Sequence, residues 1–201
     1  MKKILAITAA VATLLLAGCS QVGAAATVGD TKITQATVQG SIDAILAERA
    51  KVDTSQMQLE SGEILVRNQL NFQLLLAGFG EIAKDLEIKI TSSEIAGSRS
   101  QIVEQVGGEE ALPAALVSAS IAPANLEGYL RAILTTEKLG QALAQNGVAE
   151  ADIQARTQQL FVDKVNELKV KVNPRYGKWD ATTGQIVAAD AAGDVVTPSK
   201  D

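Results

Sequence analysis

The stretch from Ile64 to Leu86 constrains the fold more than any other part of the chain. Ile64, Leu65, Phe72, Leu75, Leu76, Phe79, Ile82, Ala83 and Leu86 recur at helical spacing over roughly six turns, and Val66, Leu70 and Leu74 widen the stripe beyond a single face. A helix apolar on more than one side must be surrounded, so this segment is expected to be the central helix of a bundle. Aromatic residues make up only 3% of the 201 residues. The interior must therefore come from Leu, Ile, Val and Ala, which points to helices packed closely together.

Further helices follow from local signals. Thr34 is placed to cap a helix of about 16 residues whose apolar positions are Val38, Ile42, Ile45 and Leu46. Thr91-Ser92-Ser93-Glu94 has the spacing of a capping box, opening a helix with Ile95, Ile102, Val103 and Val106 that Gly107-Gly108 stops. A shorter helix is expected over 109–120. Pro123 opens the next, with Leu126, Tyr129, Leu130, Ile133, Leu134, Leu139 and Leu143, ended by Asn146-Gly147. Acidic Glu150 and Asp152 suit the positive end of a last helix carrying Ile153, Leu160, Phe161 and Val165.

Two short strand signals bracket these helices. Val28 and Ile33 flank a Gly29-Asp30 turn, and Leu168-Lys169-Val170-Lys171-Val172 alternates strictly. The fold class is thus mainly α: a multi-helix body closed by a small two-stranded pairing of the N- and C-terminal segments. The expected organisation is a leader over 1–18, a short tether over 19–26, the domain over 27–180 and a mobile tail over 181–201.

The leader has a basic start at Lys2 and Lys3, an apolar run from Ile4 to Ala17 and the ending Leu16-Ala17-Gly18-Cys19. That is a secretory layout, and the run is shorter than the ~20 residues of a spanning helix. The ending resembles the lipobox of bacterial lipoproteins, which implies lipidation of Cys19 and anchoring on the extracytoplasmic face of the cell membrane. An ordinary signal peptide with Cys19 incidental is the other reading. A multiply acylated cysteine holds durably because each buried methylene contributes about 0.8 kcal/mol.

Charge and residue inventory exclude several classes of function. The formal charge is -5, and losing Lys2 and Lys3 with the leader takes it to -7. No cluster of Lys or Arg stands out, so neither nucleic acid nor a broad basic face against lipid is expected. The chain has no His and one Cys. Neither a metal site, a cofactor nor a catalytic residue is therefore expected, and the serines lack a histidine to activate them. The carboxylate pairs Glu109-Glu110 and Glu81 with Asp85 read as solvated helix faces.

Val28-Gly29-Asp30 with Ile33-Thr34 opening a helix, the long central helix, the Thr91–Glu94 cap and the closing Val172-Asn173-Pro174-Arg175-Tyr176-Gly177 before Trp179 together resemble the SurA N-terminal-domain family of extracytoplasmic chaperones, which includes PrsA-like lipoproteins. The resemblance spans about residues 26–180. It implies a holding domain for unfolded or partly folded exported polypeptides. Foldases of that family insert a parvulin domain before the closing strand. Only about 20 residues stand there in this chain, against a normal domain size of ~100, and it lacks the histidines of that site, so isomerase activity is not implied.

The client-binding candidates are Phe72, Leu75, Leu76, Phe79, Tyr129, Tyr176 and Trp179. For Tyr176 and Trp179 the competing role is to cover the end of the sheet against the helices; for the residues of the central helix it is to fill the core. The alternative function is that of a structural or adaptor lipoprotein docking one particular envelope protein.

Overall fold

The computed structural model describes residues 23–189. Its centre is α2 (Gly62–Asp85), a helix of 24 residues that buries Leu65, Gln69, Leu70, Leu74, Gly78 and Ile82. Against it pack α1 (Gln35–Arg49), α5 (Leu126–Gln145), α6 (Glu150–Glu167) and the strands β1 (Ala24–Val28) and β5 (Gln185–Val187). The remaining helices, α3 (Ser92–Val106) and the short α4 (Leu112–Ser118), complete a mainly α domain. The apolar stripe of α2 does not end inside: Ile64 and Leu86 are exposed, as is Leu46 on α1.

Local chemistry sets the helix ends. The Thr34 hydroxyl accepts from the Thr37 N–H at 3.0 Å. The box at Thr91 is complete, with the Glu94 N–H donating to the Thr91 hydroxyl and the Thr91 N–H donating to the Glu94 carboxylate. Gly107 leaves α3 at φ 99, a left-handed conformation that favours glycine. The helix expected over 109–120 is shorter, because the chain turns through Gly108–Ala111 before α4 begins.

The N- and C-terminal segments pair as expected, in a sheet of three strands ordered β2 (Thr31–Thr34), β1, β3 (Lys171–Val172). Ala26 lies opposite Ile33 and Val172, and Thr27 opposite Lys32 and Lys171, so one face turns its apolar residues inward. A register shift between Ala24 and Ala26 lets the whole Ala24–Ala26 run be buried. Two boundaries change. The tether expected over 19–26 gives way at Ala24 to this buried strand, because the small methyls fit where helices press on the sheet. The strand expected from Leu168 is only two residues long, since Lys169 has φ 53.

Of the segment expected to be a mobile tail over 181–201, the described part, 181–189, carries a strand instead, and residues 190–201 lie outside the described residues. β4 (Lys178–Asp180) and β5 form a hairpin, with Trp179 opposite Ile186. Ile186 is buried in the main core, which also holds Val28, Ile33, Val38, Ile45, Leu70 and Leu74. The edge of β5 is closed by Asn71 of α2: its carboxamide accepts from the Ile186 N–H at 2.7 Å and donates to the Ile186 carbonyl at 3.0 Å. One side chain thus stands in for a neighbouring strand.

Candidate functional site

On α2 the positions 68, 72, 75 and 79 fall on one stripe, and it is not sealed. Phe72, Leu75 and Phe79 are only half buried and line a recess of about 330 Å³. Its opposite wall comes from Phe161 and Gln158 of α6, and Gly184 and Gln185 of the hairpin close one end. Phe79 stacks on Phe161 with ring centroids 5.0 Å apart. α6 comes this close because α2 has a glycine there: a Cβ on Gly78 would lie 2.6 Å from Phe161 and 2.9 Å from Val165.

The recess carries no charged side chain. Its polar groups are the amides of Asn68, Asn71, Gln158 and Gln185. Asn71 is committed to Ile186, and Asn68 donates to Glu60 at 2.6 Å. An aromatic floor with an amide rim favours neutral apolar groups whose flanking backbone can hydrogen-bond at the edge, and it favours them without long-range steering.

The other candidates lie elsewhere. Leu76 points to α5, where a Cβ on Gly128 would meet it at 3.2 Å. Tyr129 packs with the Leu112, Leu116 and Ile121 cluster, and its ring centroid is 6.0 Å from that of Phe72. Trp179 leans on two core clusters and donates its indole N–H to Asn166 at 3.2 Å, so it closes the hairpin against the helices. Tyr176 lines a separate cleft between the first turns of α1 and α2. Of the seven client-binding candidates, the structure therefore gathers Phe72, Leu75 and Phe79. Phe161 was missed because its spacing in α6 marks it simply as core. Cys19 lies outside the described residues.

Electrostatics give no sign of acid–base chemistry at the recess. The resolved pKa shifts belong to surface groups, chiefly Glu94, whose carboxyl is held down at about 2 first by the Lys138 ammonium and then by the Thr91 cap. Among the described residues no group of three or more His, Cys, Asp or Glu is placed to hold a metal, and no helix is long and apolar enough to cross a membrane. Compared with known proteins, the chain matches no family model, no curated protein and no solved structure.

Proposed function

We propose that this chain is a membrane-anchored extracytoplasmic lipoprotein that holds unfolded or partly folded exported polypeptides, without prolyl-isomerase activity. The observation that carries this reading is the open, uncharged recess of Phe72, Leu75, Phe79 and Phe161. Had these rings been sealed inside, the domain would offer nothing to a client. The leader ending in Cys19 supports the location, and the likeness of element order to the SurA N-terminal-domain family supports the class by analogy alone.

Energetics set the mode of action. One large apolar side chain leaving water contributes about 1.5–3 kcal/mol, less than the 4.1 kcal/mol of a millimolar Kd. A single recess therefore binds weakly and releases quickly, as a holding protein requires. Tethering to the surface where exported chains emerge raises the effective concentration.

The test is suppression of aggregation of several unrelated unfolded proteins by the lipidated full chain in vesicles. Leu75→Gln and the rim variant Gln158→Lys should each weaken suppression severalfold while far-UV circular dichroism stays unchanged. Full suppression by both variants would remove the recess from the function. Capture of one envelope protein with no effect on the others would establish the adaptor reading instead. For the anchor, Cys19→Ala should leave the membrane pellet and the lipid mass should vanish; a variant that stays in the pellet would contradict it.

A further inference from the structure

The first described residue, Gly23, enters the fold beside a wide cleft. The Gln35 N–H donates to the Gly23 carbonyl at 2.8 Å, and Asn173 binds the next two carbonyls, its side chain donating to Ala24 at 3.3 Å and its N–H to Ala25 at 2.9 Å. Gln35 and the Pro174–Tyr176 turn that follows Asn173 both line a cleft of about 690 Å³. Cys19 precedes Gly23 by four residues, a span of at most about 14 Å. If Cys19 carries lipid, the chain cannot hold this cleft far from the bilayer surface.

The cleft has the chemistry of an anion seat, although the chain is acidic. Arg67 of α2 and Arg175 of the turn both line it together with one carboxylate, Glu63, so its charged lining is two guanidiniums against one acid. Neither makes an ion pair among the described residues, even though Glu63 lies one turn from Arg67. The Arg175 guanidinium lies over the Tyr176 ring, 5.9 Å from its centroid, which leaves its N–H fork available. The first turn of α1 forms another wall and contains no acidic residue to neutralise its positive end. These residues come from three separate segments, so the sequence shows no basic cluster.

We propose that this cleft seats the phosphate of an anionic phospholipid headgroup between Arg67 and Arg175, so that the domain rests on the membrane by its tethered end. The proposal depends on the lipid anchor at Cys19. It fixes an orientation as well as an attachment: along α2, Phe72 lies about 8 Å and Phe79 about 18 Å beyond Arg67, so the aromatic recess sits away from the seated end of the helix.

The test uses the full lipidated chain in vesicles of phosphatidylcholine, with and without phosphatidylglycerol, read by amide hydrogen exchange. Exchange at 35–39 and 175–177 should slow about fivefold or more with phosphatidylglycerol, and the slowing should vanish in Arg67→Gln/Arg175→Gln and in about 1 M salt. Equal exchange in both lipids, with the chain still in the membrane pellet, would overturn the headgroup seat and leave the anchor standing. Protection by inorganic phosphate in detergent, with no dependence on lipid charge, would replace the lipid by a soluble anion and overturn it. Protection already complete in detergent would assign the cleft to the chain's own residues 190–201. Failure of the anchor itself, seen as missing lipid mass on Cys19, would bring down both.

Discussion

Helices α3 and α6 both lean on α5, yet they are held in different ways. α6 buries Thr157, Phe161, Val162 and Val165, presses Phe161 into the gap left by Gly78, and is overlaid by the hairpin at Gly184. α3 buries no residue fully. Its Ile102, Val103 and Val106 lie half covered on the Leu112, Leu116 and Ile121 cluster. Exposed polar contacts supply the rest: Lys138 to Glu94 at 2.6 Å, Lys138 to the Lys89 carbonyl at 2.7 Å, and Arg99 Nη2 to Glu109 at 2.7 Å. α6 also has ion pairs, from Lys164 to Asp85 and Glu167 at 2.7 Å, but its buried side chains fix it. α3 relies on exposed charge, so α3 is the part that opens first and α6 opens only with the whole domain.

The largest break in this contrast should come at Gly177. Its φ is 131 and an added Cβ would meet the Val187 carbonyl oxygen at 2.1 Å, so Gly177→Ala must push β5 off β4 and cost about 3 kcal/mol or more. A fall in Tm with loss of protection at 185–187 would show it; an unchanged Tm would mean the hairpin contributes little. Next comes Gly78→Ala, about 2–3 kcal/mol, because the added methyl would meet Phe161 at 2.6 Å and Val165 at 2.9 Å and force α6 away from α2. Chemical denaturation measures it, and the same variant should widen the recess. Asn71→Ala removes both bonds to Ile186 and should cost about 1–2 kcal/mol, read as faster exchange of the Ile186 amide.

The smallest effect belongs to α3. Glu94→Gln should speed exchange over 92–106 and leave α6 untouched; equal acceleration in both helices would refute the contrast. Acid should do the same. The Glu94 carboxyl is lowered from 4.5 to about 2, so its stabilisation is fully present above about pH 4.5 and is lost as the pH falls toward 2. Acid also weakens the Lys164–Asp85 pair of α6, since the Lys164 hydrogen bond holds the Asp85 carboxyl below its usual value. Exchange measured between pH 5 and 2 should still show α3 loosening before α6, whose Phe161, Val162 and Val165 stay buried.

What was legible in the sequence was what neighbouring residues decide among themselves. The caps at Thr34 and Thr91, the stop at Gly107 and the long α2 all rest on contacts within a few positions, and the alternation at Val170–Val172 correctly pointed to a partner strand. The β4–β5 hairpin was not legible. Residues 181–187 offer only Ile186 and Val187 as apolar strand formers after Ala, Thr, Gly and Gln, and β5 is fixed by Asn71, which is distant in sequence. Ala24–Ala26 read as a tether for a similar reason, since alanine has no strand preference of its own and is buried here only by what presses on it. At the recess, Phe72, Leu75 and Phe79 showed in the periodicity of α2. The contribution of Phe161 required knowing that Gly78 faces it.

The pairing of β1 with β3 also sets an order of events. β1 is among the first parts of the domain to be made, but its second neighbour, Lys171–Val172, arrives only when nearly the whole domain has been synthesised. Until then β1 has only β2 beside it, and one row of its backbone groups lacks a strand. Nascent chains of this protein must therefore wait, incomplete, for their last segment, and a chain truncated before that strand would keep an open sheet edge on which other strands could assemble.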